Sequence, residues 1–178
     1  MPEDPKRAAR NVKLFILDVD GVLTDGGLYY DHDGRISKRF NVQDGMGLKM
    51  AQSAGLDVAV ISGLDSRAVE ARIRELGITD YFPGYIRKMP LLHKLAQDKN
   101  LSFSQMAYLG DDWVDAQAMA SVGLPMAVAN AQPEIIQLAL WTSSANGGHG
   151  AVRQAVRFIL QAQGRLDEQW AKWISGHV

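Results

Sequence analysis

The chain has no cysteine, which excludes disulfides, thiolate nucleophiles and sulfur-ligated zinc or iron clusters together. An excess of one charge is also missing. With 19 Lys and Arg against 20 Asp and Glu the net charge is -1, so no broad field draws in nucleic acid or an anionic membrane. No stretch approaches the ~20 apolar residues of a membrane-spanning helix. Residues 1–10 are polar and charged with no apolar secretory core, and the expected location is cytoplasmic. Repeats and low-complexity tracts are absent as well. What remains is 178 residues, 47% of them hydrophobic, enough for one domain, 1–178, with a substantial core. Any metal here is a hard ion held by oxygen, and any phosphate recognition is local.

Apolar runs suited to buried strands lie at residues 12–17, 57–61, 106–109 and 124–128, with a weaker one at 140–142. Helical patterns fall between most of them. Residues 67–76 carry Val69, Ile73 and Leu76 on one face, with Gly77 just past the end. Residues 43–54 end at Gly55, residues 112–122 at Gly123, and residues 151–163 repeat apolar pairs. Strands alternating with helices predict an α/β fold with a doubly wound, mostly parallel (Rossmann-like) sheet. One segment breaks the alternation. Residues 27–31 and 35–40 flank His32-Asp33-Gly34, a turn signal, and predict an inserted β-hairpin over about 27–40. Its Leu28, Tyr29, Tyr30, Ile36 and Phe40 need cover, from the parent domain or from another subunit.

Ligands of open α/β sheets bind outside the carboxyl ends of the strands, and there this chain places a chemical set. After the first strand come Asp18 and Asp20; after the second, Ser62 and Gly63; after the strand at 106–109, Gly110, Asp111 and Asp112, with Asp115 a helical turn on. Alternate residues of an extended chain project to the same side. Like charges held that way require a cation or a proton between them. A lone Asp-x-Asp also serves as a turn, Asp112 as an N-cap, and Ser62-Gly63 as a turn before a helix. Their joint occurrence at one sheet edge favours a metal site. Lys88 precedes Met89-Pro90, a helix-start pattern, so a cation and free backbone N–H groups meet in an anion site suited to phosphate.

Asp18-x-Asp20-Gly-Val, Ser62, Lys88 and Gly110-Asp111-Asp112-x-x-Asp115 together resemble the motifs of the haloacid dehalogenase superfamily of phosphohydrolases. From about residue 13 to 164 the chain is most similar to its small, capless phosphatases acting on 3-deoxy-D-manno-octulosonate 8-phosphate, in lipopolysaccharide biosynthesis. The hairpin, Asn41-Val-x-Asp44-Gly45-x-Gly47 and Gly147-Gly148-x-Gly150 carry that likeness. It implies a nucleophile in Asp18, which forms an aspartyl-phosphate, and a general acid and base in Asp20. It implies Mg2+ on Asp18, the Asp20 backbone carbonyl and Asp111, and a phosphoryl cradle of Ser62 and Lys88. Asp112 and Asp115 orient the metal's waters or Lys88. The resemblance also implies a substrate pocket lined by Asn41, Gln43, Asp44, Gly45, Lys49, Gly63, Arg72 and Lys88.

The aspartate pair is followed by the hairpin and one helix before the next strand, and between Ser62 and Lys88 lies little beyond one helix, so there is no room for a cap domain. The resemblance implies a homotetramer whose hairpins and tails cover neighbouring sites; residues 165–178, with Trp170 and Trp173, fit docking on a neighbour or a frayed end. Relatives usually have arginine where this chain has Leu64 and Gln43. Arginine suits a carboxylate, so a nine-carbon keto sugar acid phosphate or another sugar phosphate stands as an alternative substrate, with Arg67 or Lys49 as compensating cations. Rivals of other classes are a non-catalytic oligomerisation module and a phosphoaspartate receiver. Lys38 and Arg39 read as a solvated face of the hairpin.

Overall fold

Leu14, Phe15, Ile16 and Leu17 form strand β1 (Leu14–Leu17), and all four are fully buried. A strand apolar on both faces belongs inside a sheet covered on both sides. The computed structural model describes residues 4–176 and places β1 at the centre of six parallel strands. To one side lie β4 (Asp57–Ile61) and β5 (Asp80–Phe82), and to the other β6 (Met106–Gly110), β7 (Leu124–Ala127) and β8 (Trp141–Thr142), in the order β5-β4-β1-β6-β7-β8. The chain winds outward from β1 one way and then the other, which is the doubly wound arrangement expected. β2 (Tyr29–Tyr30) and β3 (Ile36–Ser37) pair antiparallel as the hairpin.

Among the described residues eight α-helices flank the strands: α1 (Pro5–Arg10), α2 (Val42–Ser53), α3 (Arg67–Leu76), α4 (Met89–Asp98), α5 (Ala116–Ser121), α6 (Pro133–Leu138), α7 (Ala151–Ala162) and α8 (Leu166–Ser175). α7 packs on both α1 and α2, while α4 meets α5 and α5 meets α6. Gly77 ends α3 at φ +71 and Gly55 follows α2 at φ +73, as the sequence predicts. Gly123 does not act that way. The helix expected over 112–122 opens as a 3-10 turn, Trp113–Asp115, and stops at Ser121, where Val122 is already extended. A Cβ at Gly123 would lie 2.3 Å from the Ser104 carbonyl oxygen, so this glycine permits a close backbone approach instead.

The hairpin pairs over fewer residues than expected. Tyr29 faces Ser37 and Tyr30 faces Ile36, with one further bridge between Thr24 and Phe40. Gly34, at φ +74, donates its N–H to Asp31, whose side chain accepts from the N–H groups of Asp33 and Arg35. Phe40 packs on the core, whereas Leu28, Tyr29 and Tyr30 stay exposed. Helices α1, α6 and α8 and strand β5 come in addition to the predicted elements. The tail up to Ser175 is helical rather than frayed; residues 177–178 of the expected tail segment lie outside the described residues.

Candidate active site

β1 and β6 are neighbours with Leu17 opposite Leu109, and the winding reverses between them, so Asp18 and Asp111 emerge side by side at their carboxyl ends. Asp18 donates its N–H to Leu109 O at 3.1 Å. The chain then turns tightly, with the N–H groups of Val22, Leu23 and Thr24 all directed to the Val19 carbonyl. The buried Thr24 hydroxyl accepts from Gly21 N and Gly26 N at 3.3 and 3.2 Å. Gly21 sits at φ +87, and a Cβ there would lie 2.0 Å from Asp111 Oδ2. The glycine of the aspartate motif thus makes room for the acid that arrives from β6.

Lys88, just before α4, is buried rather than a solvated surface lysine. Its Nζ donates to Asp18 Oδ1 at 2.7 Å and to Asp115 Oδ1 at 2.5 Å. The buried Tyr108 hydroxyl donates to that same Asp115 oxygen at 2.7 Å, and Asp111 N donates to Asp115 Oδ2 at 3.1 Å. Asp115 therefore has both oxygens engaged by the protein and serves to hold Lys88. Asp18, Asp111 and Asp115 bring carboxylate oxygens within 4.8 Å of one another. Three carboxylates against one ammonium leave two negative charges uncompensated. Asp111 Oδ1 is buried without a hydrogen-bond partner.

The titration of these groups reflects that imbalance. Burial, then Asp18, Asp115 and Asp112, push Asp111 up to about 8, with Lys88 only partly opposing. Burial and Asp115 push Asp18 up to about 7 against the charge and hydrogen bond of Lys88. Burial works to lower the Lys88 pKa, but Asp18 and Asp115 raise it overall, so the ammonium stays charged. Burial and Asp115 hold the Tyr108 phenol well above its usual range, fixing it as a donor. A buried acid cluster of this kind requires protons or a divalent cation. An all-oxygen donor set with an unsatisfied carboxylate oxygen fits Mg2+.

The other expected residues divide. Asp20 is half-buried beside the cluster, and its Oδ1 accepts from Lys38 Nζ at 2.6 Å. Lys38, expected on a solvated face, has a fully buried side chain instead, because the hairpin folds its inner face onto the aspartate turn. Ser62 is buried at the end of β4, but its hydroxyl donates to Leu64 O at 2.9 Å, within its own turn, next to the half-buried Gly63. Asp112 is exposed and accepts from Trp113 N as an N-cap, apart from the carboxylate cluster.

The predicted substrate residues are scattered more widely. Asn41 caps α2, accepting from Gln43 N at 2.7 Å, and Gln43 and Lys49 are exposed on that helix. Asp44 is buried and accepts from Gly150 N and Arg153 N at the start of α7. There it serves as a helix-terminal anion. Gly45 lies under Arg72, whose guanidinium donates to Glu75 at 2.9 Å and borders a cavity of about 440 Å3 with Lys38, Phe40 and Val42. A second cavity of about 580 Å3 lies off the acid cluster, between α2, α7 and α8, and is lined by Met46, Met50, Arg153, Arg157, Trp170 and Trp173. Lys38 and Tyr108 are the site residues that sequence reasoning missed.

A doubly wound sheet that sets an aspartate pair, a lysine and a second acid group around one switch point defines the class of haloacid dehalogenase-like hydrolases, whose family model matches residues 82–155. The chain is 42% identical to a 3-deoxy-D-manno-octulosonate 8-phosphate phosphatase of Escherichia coli K12, over 90% of this chain and 85% of that protein. The Moraxella catarrhalis phosphatase of that name, solved with magnesium ion, phosphate ion and KDO, superposes with a TM-score of 0.92 at 35% identity, over 95% of this chain and 97% of that one. The cobalt-bound Haemophilus influenzae phosphatase gives 0.88 at 40% identity, over 93% and 99%. The chain belongs to this 3-deoxy-D-manno-octulosonate 8-phosphate phosphatase family.

Proposed function

We propose that the protein is a magnesium-dependent phosphatase that hydrolyses 3-deoxy-D-manno-octulosonate 8-phosphate through an aspartyl-phosphate. The observation that carries this reading is the charge imbalance at the switch point: Asp18, Asp111 and Asp115 converge around the single Lys88. Asp18, Asp111 and the Asp20 backbone carbonyl would hold the ion. When bound, Mg2+ screens the carboxylate nucleophile from the phosphate dianion and steadies charge on the phosphoryl oxygens. Asp18 attacks phosphorus, forming a new P–O bond as the ester P–O bond breaks, and Asp20 gives a proton to the departing alkoxide. A water then attacks the phosphorus of the aspartyl-phosphate and passes its proton to Asp20, releasing phosphate and restoring Asp18. Lys88, held by Asp115, orients Asp18 and supplies positive charge to the phosphoryl group. Ser62 joins the cradle after turning its hydroxyl away from Leu64.

The sugar acid is the less constrained part. Arg72 on the cavity beside the hairpin is the candidate for its carboxylate. Leu64 and Gln43, neither of them a cation able to pair with a carboxylate, favour a second reading in which a nine-carbon keto sugar acid phosphate or another sugar phosphate is the substrate. Phosphate release from a panel of sugar and sugar acid phosphates, with Mg2+ and after chelation, tests both. Full activity in chelator refutes the metal, and inactivity on every ester refutes the phosphatase. Leu64→Arg is expected to favour acidic sugars severalfold. The exposed Leu28, Tyr29 and Tyr30 support assembly through the hairpins into a homotetramer. Light scattering at four times the chain mass is the expected result, and a monomer at micromolar concentration overturns it.

A further inference from the structure

Lys38 and Arg39 are adjacent on the returning arm of the hairpin, and successive side chains of an extended chain point to opposite sides. Arg39 Nη1 donates to Gly148 O at 3.0 Å and lies 3.9 Å from Asp25 Oδ2, so it ties the hairpin to the loop before α7. Lys38 turns the other way, with Ile36 and Phe40, which are both partly buried. Its side chain is fully buried and its Nζ donates to Asp20 Oδ1 at 2.6 Å. An ammonium is not buried without a partner, and here the partner is the carboxylate two residues after Asp18.

We propose that Lys38 is a positioning residue for proton transfer. By holding Oδ1 of Asp20 it leaves Oδ2 to carry the proton to the departing alkoxide in the first step and to receive the proton of the attacking water in the second. The proposal rests on the phosphatase reading above and assigns the hairpin a part in it. Asp20 needs such a constraint, because its side chain is 28% exposed at the mouth of the site, while Asp18 and Asp115 are fixed by Lys88. Lys38 also lines the cavity of about 440 Å3 with Arg72, Phe40 and Val42. The same lysine therefore touches both this cavity and Asp20.

The test compares Lys38→Met, which keeps the aliphatic stem, with Lys38→Arg, on 4-nitrophenyl phosphate and on a sugar phosphate with Mg2+ present. An aryl leaving group needs little protonation, so Lys38→Met is expected to lose about tenfold or more in kcat on the sugar phosphate and less than about threefold on the aryl ester. KM and inhibition by inorganic phosphate stay within about twofold, because the phosphate cradle is untouched. Lys38→Arg restores most of the loss, and Lys38→Met adds nothing in an Asp20→Ala background. Equal losses on both esters, or a loss fully additive with Asp20→Ala, overturns the proposal. Hydrogen exchange of the amides of residues 29–37 reads the contact without turnover: faster exchange in Lys38→Met and in Asp20→Ala is expected, and unchanged exchange in both overturns it. If Lys38→Met does not fold, Lys38→Gln serves the same comparison. Wild-type protein inactive on both esters fells the phosphatase reading, a result distinct from an active wild type whose Lys38→Met loses equally on both.

Discussion

Tyr108 donates to the acid that holds Lys88, and no water can replace that hydrogen bond where tyrosine and aspartate are both fully buried. Tyr108→Phe is expected to lower folding stability by about 1–2 kcal/mol, read as a shift in the urea midpoint; an unchanged midpoint would show the bond to be dispensable. Asp18→Asn keeps the shape of the side chain but removes the nucleophile, and kcat on any phosphate monoester should fall at least about 10³-fold. Retention of most activity would remove Asp18 from that role. Asp18, Lys88 and Asp111 were legible in the sequence because each directly follows a predicted strand or precedes a predicted helix, and Asp115 because it falls one helical turn beyond Asp111. Lys38 was not, since its partner lies 18 positions away across a turn. A signal was nonetheless present: Ile36, Lys38 and Phe40 alternate, which puts the lysine on the apolar side of its strand. Asp44 shows a bond that the sequence did not signal, to a helix more than 100 positions away. Its carboxylate accepts from the backbone N–H groups of Gly150 and Arg153 at the start of α7.

Helix α2 carries Gly45 where an added Cβ would meet Arg72 Nη2 at 2.1 Å. The obstructing atom is the end of a flexible side chain, so Gly45→Ala should move Arg72 rather than break the helix, and alanine favours a helix over glycine by up to ~1 kcal/mol. The expected outcome is an unchanged or raised melting temperature with KM for a sugar acid phosphate up by roughly threefold or more, and KM for an aryl phosphate unmoved. Equal KM on both would take Arg72 out of sugar recognition. Elements with strong periodicity, α3 and α7 among them, were readable, as were the fully buried strands. β5 escaped because it is three residues long, begins with Asp80 and lies at the sheet edge with only partial burial. α1 escaped because only Ala8 and Ala9 of its six residues are buried, against α7, so its apolar face is too small to show.

Across the whole molecule the acid cluster couples folding to pH. Asp18 and Asp111 are raised to about 7 and about 8 from an ordinary carboxylate value of 3.8, so the folded chain holds their protons more tightly than the unfolded chain. Their contribution to stability is complete below about pH 4 and is lost as pH rises through the folded values. Metal-free protein should lose stability from this source between about pH 4 and pH 8. Mg2+ competes with those protons, so it should raise the melting temperature more near pH 8 than near pH 5. Equal stabilisation at both would contradict an ion bound by these carboxylates. Melting curves on chelated and magnesium-loaded samples decide it. Among the described residues no cap covers the sheet, and Leu64, Tyr85, Ile86 and Trp113 are exposed.

Trp113 gives the protein a built-in optical reporter. It stands two residues beyond Asp111, with its indole N–H on Glu134 at 3.1 Å. Of the other three tryptophans, Trp141 stacks on Phe158 and Trp170 and Trp173 border the remote cavity. With Trp170 and Trp173 replaced by phenylalanine, a change in emission on adding a divalent ion would register events at the carboxylates in real time, without a substrate or a dye.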